Sequence, residues 1–125
     1  MERGEVEQVK HTVSLKENHL FRRLYSKGKS AVTPTLAVYV RPNHHRRSRL
    51  GVTVGTKVGK AVKRNRVRRR IREAYRIHEE RMLPGFDMVV VARVRSAHAP
   101  YAEVERDLLR LLDKLGVYQG RKTEK

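Results

Sequence analysis

The chain has 125 residues, enough for one domain with a modest core. Lys and Arg number 30 against 13 Asp and Glu, a net charge of +17, and a field of that strength opposes a compact monomer unless a polyanion is near. With no Cys, disulfides, thiolate metal sites and cysteine nucleophiles are excluded. No apolar run approaches the ~20 residues of a membrane-spanning helix, and MERGEVEQVKH lacks the apolar centre of a signal peptide, so an intracellular protein that binds nucleic acid is the first expectation.

Residues 1–12 are polar and aperiodic and are expected to form a mobile tail. Ser14 and Glu17 in SLKE have the spacing of a capping box. Leu20, Phe21, Leu24 and Tyr25 follow at helical spacing, with Gly28 as a stop. On such a helix Leu20 and Leu24 form an aliphatic row, and Phe21 and Tyr25 a neighbouring aromatic row. Residues 31–41 read as one strand with Leu36, Val38 and Val40 on one face and Ala37, Tyr39 and Arg41 on the other; Pro34 suits its start. PNHHRRS is a turn. RLGVTV at 49–54 alternates, with Leu50, Val52 and Val54 inward.

The segment KAVKRNRVRRRIREAYR, 60–76, carries nine Lys or Arg in seventeen residues. Runs of like charge are usually disordered, but Val67, Ile71, Ala74 and His78 recur at i, i+4, i+7 and i+11 and predict a helix continuing through IHEERM. Arginines fill the opposite side, and Glu73 is the one acid available to pair with Arg69 or Arg76. Several guanidiniums beside a helix N-terminus point to phosphate binding rather than to a merely solvated face. After the PG turn at 84–85, DMVVVARV is apolar without alternation, which predicts a strand covered on both faces. A last helix is expected from Pro100 to Leu115, with Val104, Leu108, Leu111, Leu112 and Leu115 buried. The order α-β-β-α-β-α gives an α+β domain over 13–118, a small sheet with helices packed on it, and a second mobile tail at 119–125.

KAVKRNRVRRRIREAYR resembles the RNR signature of the bacterial ribonuclease P protein subunit, and LFRRLYSKGKS, LAVYVR, RLGVTVGTKVGKAVKRNR and GFDMVVVAR resemble that family's other segments. The resemblance implies a cytoplasmic bacterial protein that assists a catalytic RNA in removing the 5′ leader of precursor tRNA. It places the RNR triplet at Arg64, Asn65 and Arg66, facing the RNA subunit with Lys57, Lys60, Lys63, Arg68, Arg69 and Arg72. It places Phe21, Tyr25 and Tyr39 in a cleft for the single-stranded leader, where aromatic stacking in a basic groove is the expected mode; Phe21 reads equally well as a packing residue. It implies a left-handed β-α-β crossover, although about 98% of such crossovers are right-handed. Gly55, Thr56 and Lys57 stand where the family usually carries Ser-Lys-Lys, which leaves Lys57 to make the loop contact. Leu36 stands where an aromatic often opens the strand, which makes it a core position.

No residue is assigned a catalytic role. The histidines form no metal signature, and His78 reads as a packed residue. The acids at Glu79, Glu80, Glu103, Glu105 and Asp107 read as solvated helix positions. Mg²⁺ is therefore expected to be held mainly by the RNA subunit, with neither a small-molecule cofactor nor a membrane partner. The other function class is a structural RNA binder of the ribosomal-protein kind. A membrane-surface helix is disfavoured because Val67, Ile71 and Ala74 offer too small an apolar face.

Overall fold

The computed structural model describes residues 12–119. They form β1 (Thr12–Ser14), α1 (Asn18–Lys27), β2 (Lys29–Val32), β3 (Leu36–Pro42), β4 (Ser48–Val54), α2 (Ala61–Ile77), β5 (Phe86–Ala92) and α3 (Tyr101–Lys114), with single 3₁₀ turns at Thr56–Val58, Glu79–Arg81 and Val94–Ala97. This is the expected α+β order with two short strands added. The five strands make one mixed sheet in the order β1-β4-β5-β3-β2. β4 runs parallel to β5, with α2 between them in the chain, and β3 runs antiparallel to β5.

Alternation along each strand builds two layers. Leu36, Val38 and Val40 of β3, Leu50, Val52 and Val54 of β4, and Met88, Val90 and Ala92 of β5 meet Val67, Ile71, Ala74 and Tyr75 of α2. Val104, Leu108, Leu111 and Leu112 of α3 close the same core. Burying each Val or Leu completely stabilises the fold by about 1.5–3 kcal/mol. On the opposite face Leu15, Leu20 and Leu24 cover Val89, with Phe21, Tyr39 and Val91 at the margin. β5 is thus covered on both faces, which is why its sequence does not alternate. Leu36 is fully buried, as a core position requires.

Several boundaries differ from the sequence reading. Residues 31–41 are two strands, because the Thr33 N–H donates to the Leu36 carbonyl (2.8 Å) and the Thr33 hydroxyl accepts from the Leu36 N–H (3.2 Å), closing a turn around Pro34. Ser14 is not a helix cap. It pairs with Leu50 in the parallel β1–β4 ladder, and α1 starts at Asn18 with Glu17 at its N-cap position making no side-chain cap. α2 ends at Ile77 rather than running through IHEERM, since His78 leaves helical geometry (φ −105°, ψ 10°). Its Nε2 meets Glu105 Oε2 at 2.7 Å, and the chain turns to bury Met82 beside Tyr118.

Glu79 and Asp107 are buried, not solvated; Asp107 accepts a 2.6 Å hydrogen bond from the Thr35 hydroxyl, tying α3 to the β2–β3 turn. Of the expected tails, Thr12 belongs to β1 and the Gln119 N–H donates to the Arg81 carbonyl; residues 1–11 and 120–125 lie outside the described residues. Gly28 ends α1 with an extended backbone (φ −77°). Its lack of a Cβ matters because that atom would lie 2.7 Å from the Leu24 carbonyl oxygen and 3.0 Å from that of Val40.

Candidate nucleic-acid interface

The basic helix is held by its apolar stripe. Val67, Ile71, Ala74 and Tyr75 are buried, so the 3.6-residue period turns the arginines outward. Lys57, Lys60, Asn65, Arg66, Arg69 and Arg72 are exposed, and Lys63, Arg64 and Arg68 are half-buried. Asn65, Arg68, Arg69 and Arg72 line one shallow hollow of about 350 Å³ with Glu73 and Arg76. Lys60, Lys63 and Arg66 line another of about 430 Å³ with Gly59 and Val62. Apart from Arg64, the predicted cations of α2 thus fall on two neighbouring hollows, with Lys57 and Lys60 in the turns just before the helix.

Their hydrogen bonds sort them. Arg64 Nε donates to the Gly59 carbonyl at 3.0 Å, fixing the turn before α2. Arg70 reaches the Ala99 carbonyl at 3.2 Å and braces the segment that leads into α3. Arg76, not Arg69, takes Glu73 (2.7 Å). Asn65 Oδ1 accepts from Arg68 Nη1 at 2.8 Å, which pre-orients that guanidinium. Among the described residues, Arg66, Arg69 and Arg72 have no carboxylate partner. Unpaired guanidiniums on a helix that has no acid in its first turn leave a positive potential matched to phosphate.

The aromatic residues assemble on the other face of the sheet. Tyr25 of α1 and Tyr39 of β3 meet edge to face, with centroids 5.0 Å apart at 89°. Tyr25 is 44% exposed and Tyr39 half-buried, so both keep ring surface open. Phe21 is half-buried and lies over β4, and only glycine fits beneath it: a Cβ on Gly51 would sit 2.6 Å from its Cζ. Phe21 thus packs on the sheet face that carries the Tyr pair.

Around the Tyr pair the sheet supplies Ala37, Arg41, Thr53 and Val91 on the same face, by register. At one end a cavity of about 650 Å³ is lined by Lys57, Thr53, Val91, Arg93 and Arg95 among others. The sequence reading assigned Arg93 and Arg95 no role; their position after the β5 strand was the available signal. At the other end stands the β3–β4 loop with His44, His45, Arg46 and Arg47, read from sequence only as a turn.

The donor chemistry of both surfaces is cationic and aromatic, and it does not suit a resident Mg²⁺. Among the described residues no three His, Asp or Glu side chains converge to hold a metal ion. Two of the buried carboxylates are committed to the fold: Asp87 takes Arg49 bidentately (2.7 and 2.9 Å) and Asp107 takes Thr35. No helix among the described residues is long and apolar enough to cross a membrane.

Comparison with known proteins identifies the family and the fold. The family model Ribonuclease P matches residues 9–116. The ribonuclease P protein component of Clostridioides difficile is 40% identical over 107 residues, covering 85% of this chain and 94% of the relative. That of Clostridium botulinum strain Langeland is 43% identical over 105 residues, covering 83% and 95%. The fold superposes on the RNase P protein of Staphylococcus aureus with a TM-score of 0.78 at 31% identity, covering 86% of this chain and 97% of the other. The corresponding values for the Thermotoga maritima RNase P protein are 0.74, 32%, 81% and 96%. A chain whose sheet carries a basic helix on one face and the Tyr25–Tyr39 pair on the other, and whose residues 9–116 match this family model, belongs to the ribonuclease P protein family.

Proposed function

We propose that this protein binds the catalytic RNA of ribonuclease P through α2 and holds the single-stranded 5′ leader of precursor tRNA in the α1–sheet cleft. The observation that carries the reading is the separation of the two surfaces. The sheet lies between the arginine side of α2 and the exposed Tyr25–Tyr39 pair, so one protein can face two RNA elements at once. Lys60, Lys63, Arg64, Arg66, Arg68, Arg69 and Arg72 neutralise phosphates of the RNA subunit, and Asn65 orients Arg68 among them. Lys57 lines the cavity at one end of the sheet with Arg93 and Arg95. Phe21, Tyr25 and Tyr39 offer rings to unstacked leader bases, a sequence-tolerant contact because every base has a π-face.

Hydrolysis belongs to the RNA subunit in this reading, and the Mg²⁺ that supports it is bound mainly there. The protein lowers phosphate repulsion and orients the leader, in the cytoplasm where precursor tRNA is made. The test is Tyr39→Ala in the holoenzyme reconstituted with ribonuclease P RNA. Loss of one stacked base costs about 1–3 kcal/mol, so precursor affinity is expected to fall about 5- to 150-fold while affinity for mature tRNA stays unchanged. Equal losses for both RNAs would reduce Tyr39 to a support of the fold and remove the leader from the cleft.

A further inference from the structure

The β3–β4 loop presents four adjacent side chains able to donate to phosphate, His44, His45, Arg46 and Arg47, and all four are exposed. Among the described residues no carboxylate pairs with any of them. A solvated turn would need no internal order, yet this one is built. The Asn43 amide donates to the Arg47 carbonyl and to Asp87 Oδ1, both at 3.0 Å, and its Oδ1 accepts from the His45 N–H at 2.7 Å. Asp87 is buried and held by Arg49 through two hydrogen bonds, so the loop is anchored to the sheet. The Asn43 N–H donates to the Gly85 carbonyl at 2.8 Å, pinning the loop to the turn before β5. His44 adopts φ +62°, a left-handed conformation uncommon outside glycine, which this network stabilises. An ordered cationic loop loses less entropy on meeting a ligand than a mobile one.

Its position gives the ligand. Along β3 the cleft face reads Ala37, Tyr39, Arg41, and then the loop begins. The cavity of Lys57, Arg93 and Arg95 lies at the opposite end of the same strands, since Leu36 and Val54 pair with Ala92 while Pro42 pairs with Phe86. A strand stacked on Tyr39 and leaving away from that cavity passes Arg41 and arrives at the loop. From Tyr39 to Asn43 the backbone covers about 13 Å at ~3.3 Å per residue. At the ~3.4 Å rise of a stacked strand that is about four nucleotides.

We infer that the loop His44–Arg47, with Arg41, is a second, distal phosphate clamp for the leader, engaged only by leaders that extend several nucleotides past the aromatic pair. The inference rests on the leader occupying the cleft, as proposed above. The protein then grips long leaders more tightly, and in a more salt-dependent way, than short ones.

The experiment compares holoenzymes carrying wild-type protein, Arg46→Gln with Arg47→Gln, and Tyr39→Ala. Each is titrated with precursor tRNA bearing a leader of about two or about ten nucleotides and with mature tRNA, at salt from roughly 50 to 200 mM, where each single-strand phosphate contact contributes about −0.7 to the log–log slope. Two lost contacts lower the long-leader slope by about 1.4, so across that range wild type loses about sevenfold more affinity than the double variant. The two are expected to coincide on the short leader and on mature tRNA. A double variant indistinguishable from wild type on the long leader, with Tyr39→Ala still selective for precursor, overturns the clamp and leaves the cleft reading intact. Equal losses on all three RNAs would assign the loop to the RNA subunit or the tRNA body, which also overturns it. Insensitivity of both variants to the leader would overturn the clamp and the cleft together.

Discussion

Gly51→Ala tests whether the aromatic cleft depends on one missing methyl group. The added Cβ would meet Phe21 Cζ at 2.6 Å and Cε1 at 2.7 Å, with Leu15 Cβ at 3.5 Å. Carbon atoms pack best at about 3.5–4.0 Å, so the ring must retreat by roughly 1 Å. Leu15 closes one side, whereas Phe21 is half-buried and can swing toward solvent, which is into the cleft. Overpacking costs about 1–3 kcal/mol, and the entropy lost with a glycine in the unfolded chain returns about 0.4–1 kcal/mol. A net destabilisation of about 1–2 kcal/mol follows, and at about 4–8 °C per kcal/mol for a domain near this size it is visible in a thermal melt.

The cleft should suffer more than the fold. A ring displaced into the leader's path is expected to reduce leader-dependent affinity at least fivefold, about 1 kcal/mol, while binding to the RNA subunit is unchanged because α2 lies on the other sheet face. Adding Phe21→Leu to Gly51→Ala should restore the melting temperature without restoring leader affinity. A Gly51→Ala protein with wild-type stability and undiminished preference for precursor over mature tRNA would refute the packing argument.

Arg68→Ala and Arg72→Ala should each flatten the salt dependence of binding to the RNA subunit by about 0.9 in log–log slope where the contact is to duplex; an unchanged slope in both would take α2 out of the interface. Thr35→Val leaves buried Asp107 without its 2.6 Å donor, and a hydrogen bond to a charged group contributes about 1.5–3 kcal/mol, so a chemical denaturation midpoint should fall by that equivalent. Asp107→Leu added to Thr35→Val should recover part of it, since removing both partners avoids a stranded carboxylate. Burial pushes the Tyr75 phenol up to about 12, with a nearby Glu79 adding to the rise and the Thr12 hydroxyl opposing it. Its contribution is therefore complete below the unfolded value of about 10 and is lost as pH rises toward 12, costing about 1.4 kcal/mol by pH 11. Tyr75→Phe should lose less stability than wild type between pH 9 and 11, and parallel curves would refute this.

The sequence by itself determined the pattern of faces. Period-two alternation set Tyr39 opposite Leu36, Val38 and Val40, and a 3.6-residue stripe of Val67, Ile71 and Ala74 put the basic residues of that helix on its other sides. Both follow from backbone geometry acting over a few residues, so composition and spacing suffice to read them. Resemblance added the expected division of labour between helix and cleft, which spacing alone left open between an RNA-processing subunit and a structural RNA binder. Tertiary structure decided which partners each side chain finds. Arg64 and Arg70 spend hydrogen bonds on the carbonyls of Gly59 and Ala99 while Arg66, Arg69 and Arg72 stay open. Asp107 turns inward to a threonine 72 residues away, and Ser14 leaves a helix cap to join a parallel strand. Tyr25 and Tyr39 become one platform only because α1 crosses β3. These outcomes depend on contacts between elements distant in the chain, where burial and hydrogen-bond satisfaction outweigh the local preferences that a sequence displays.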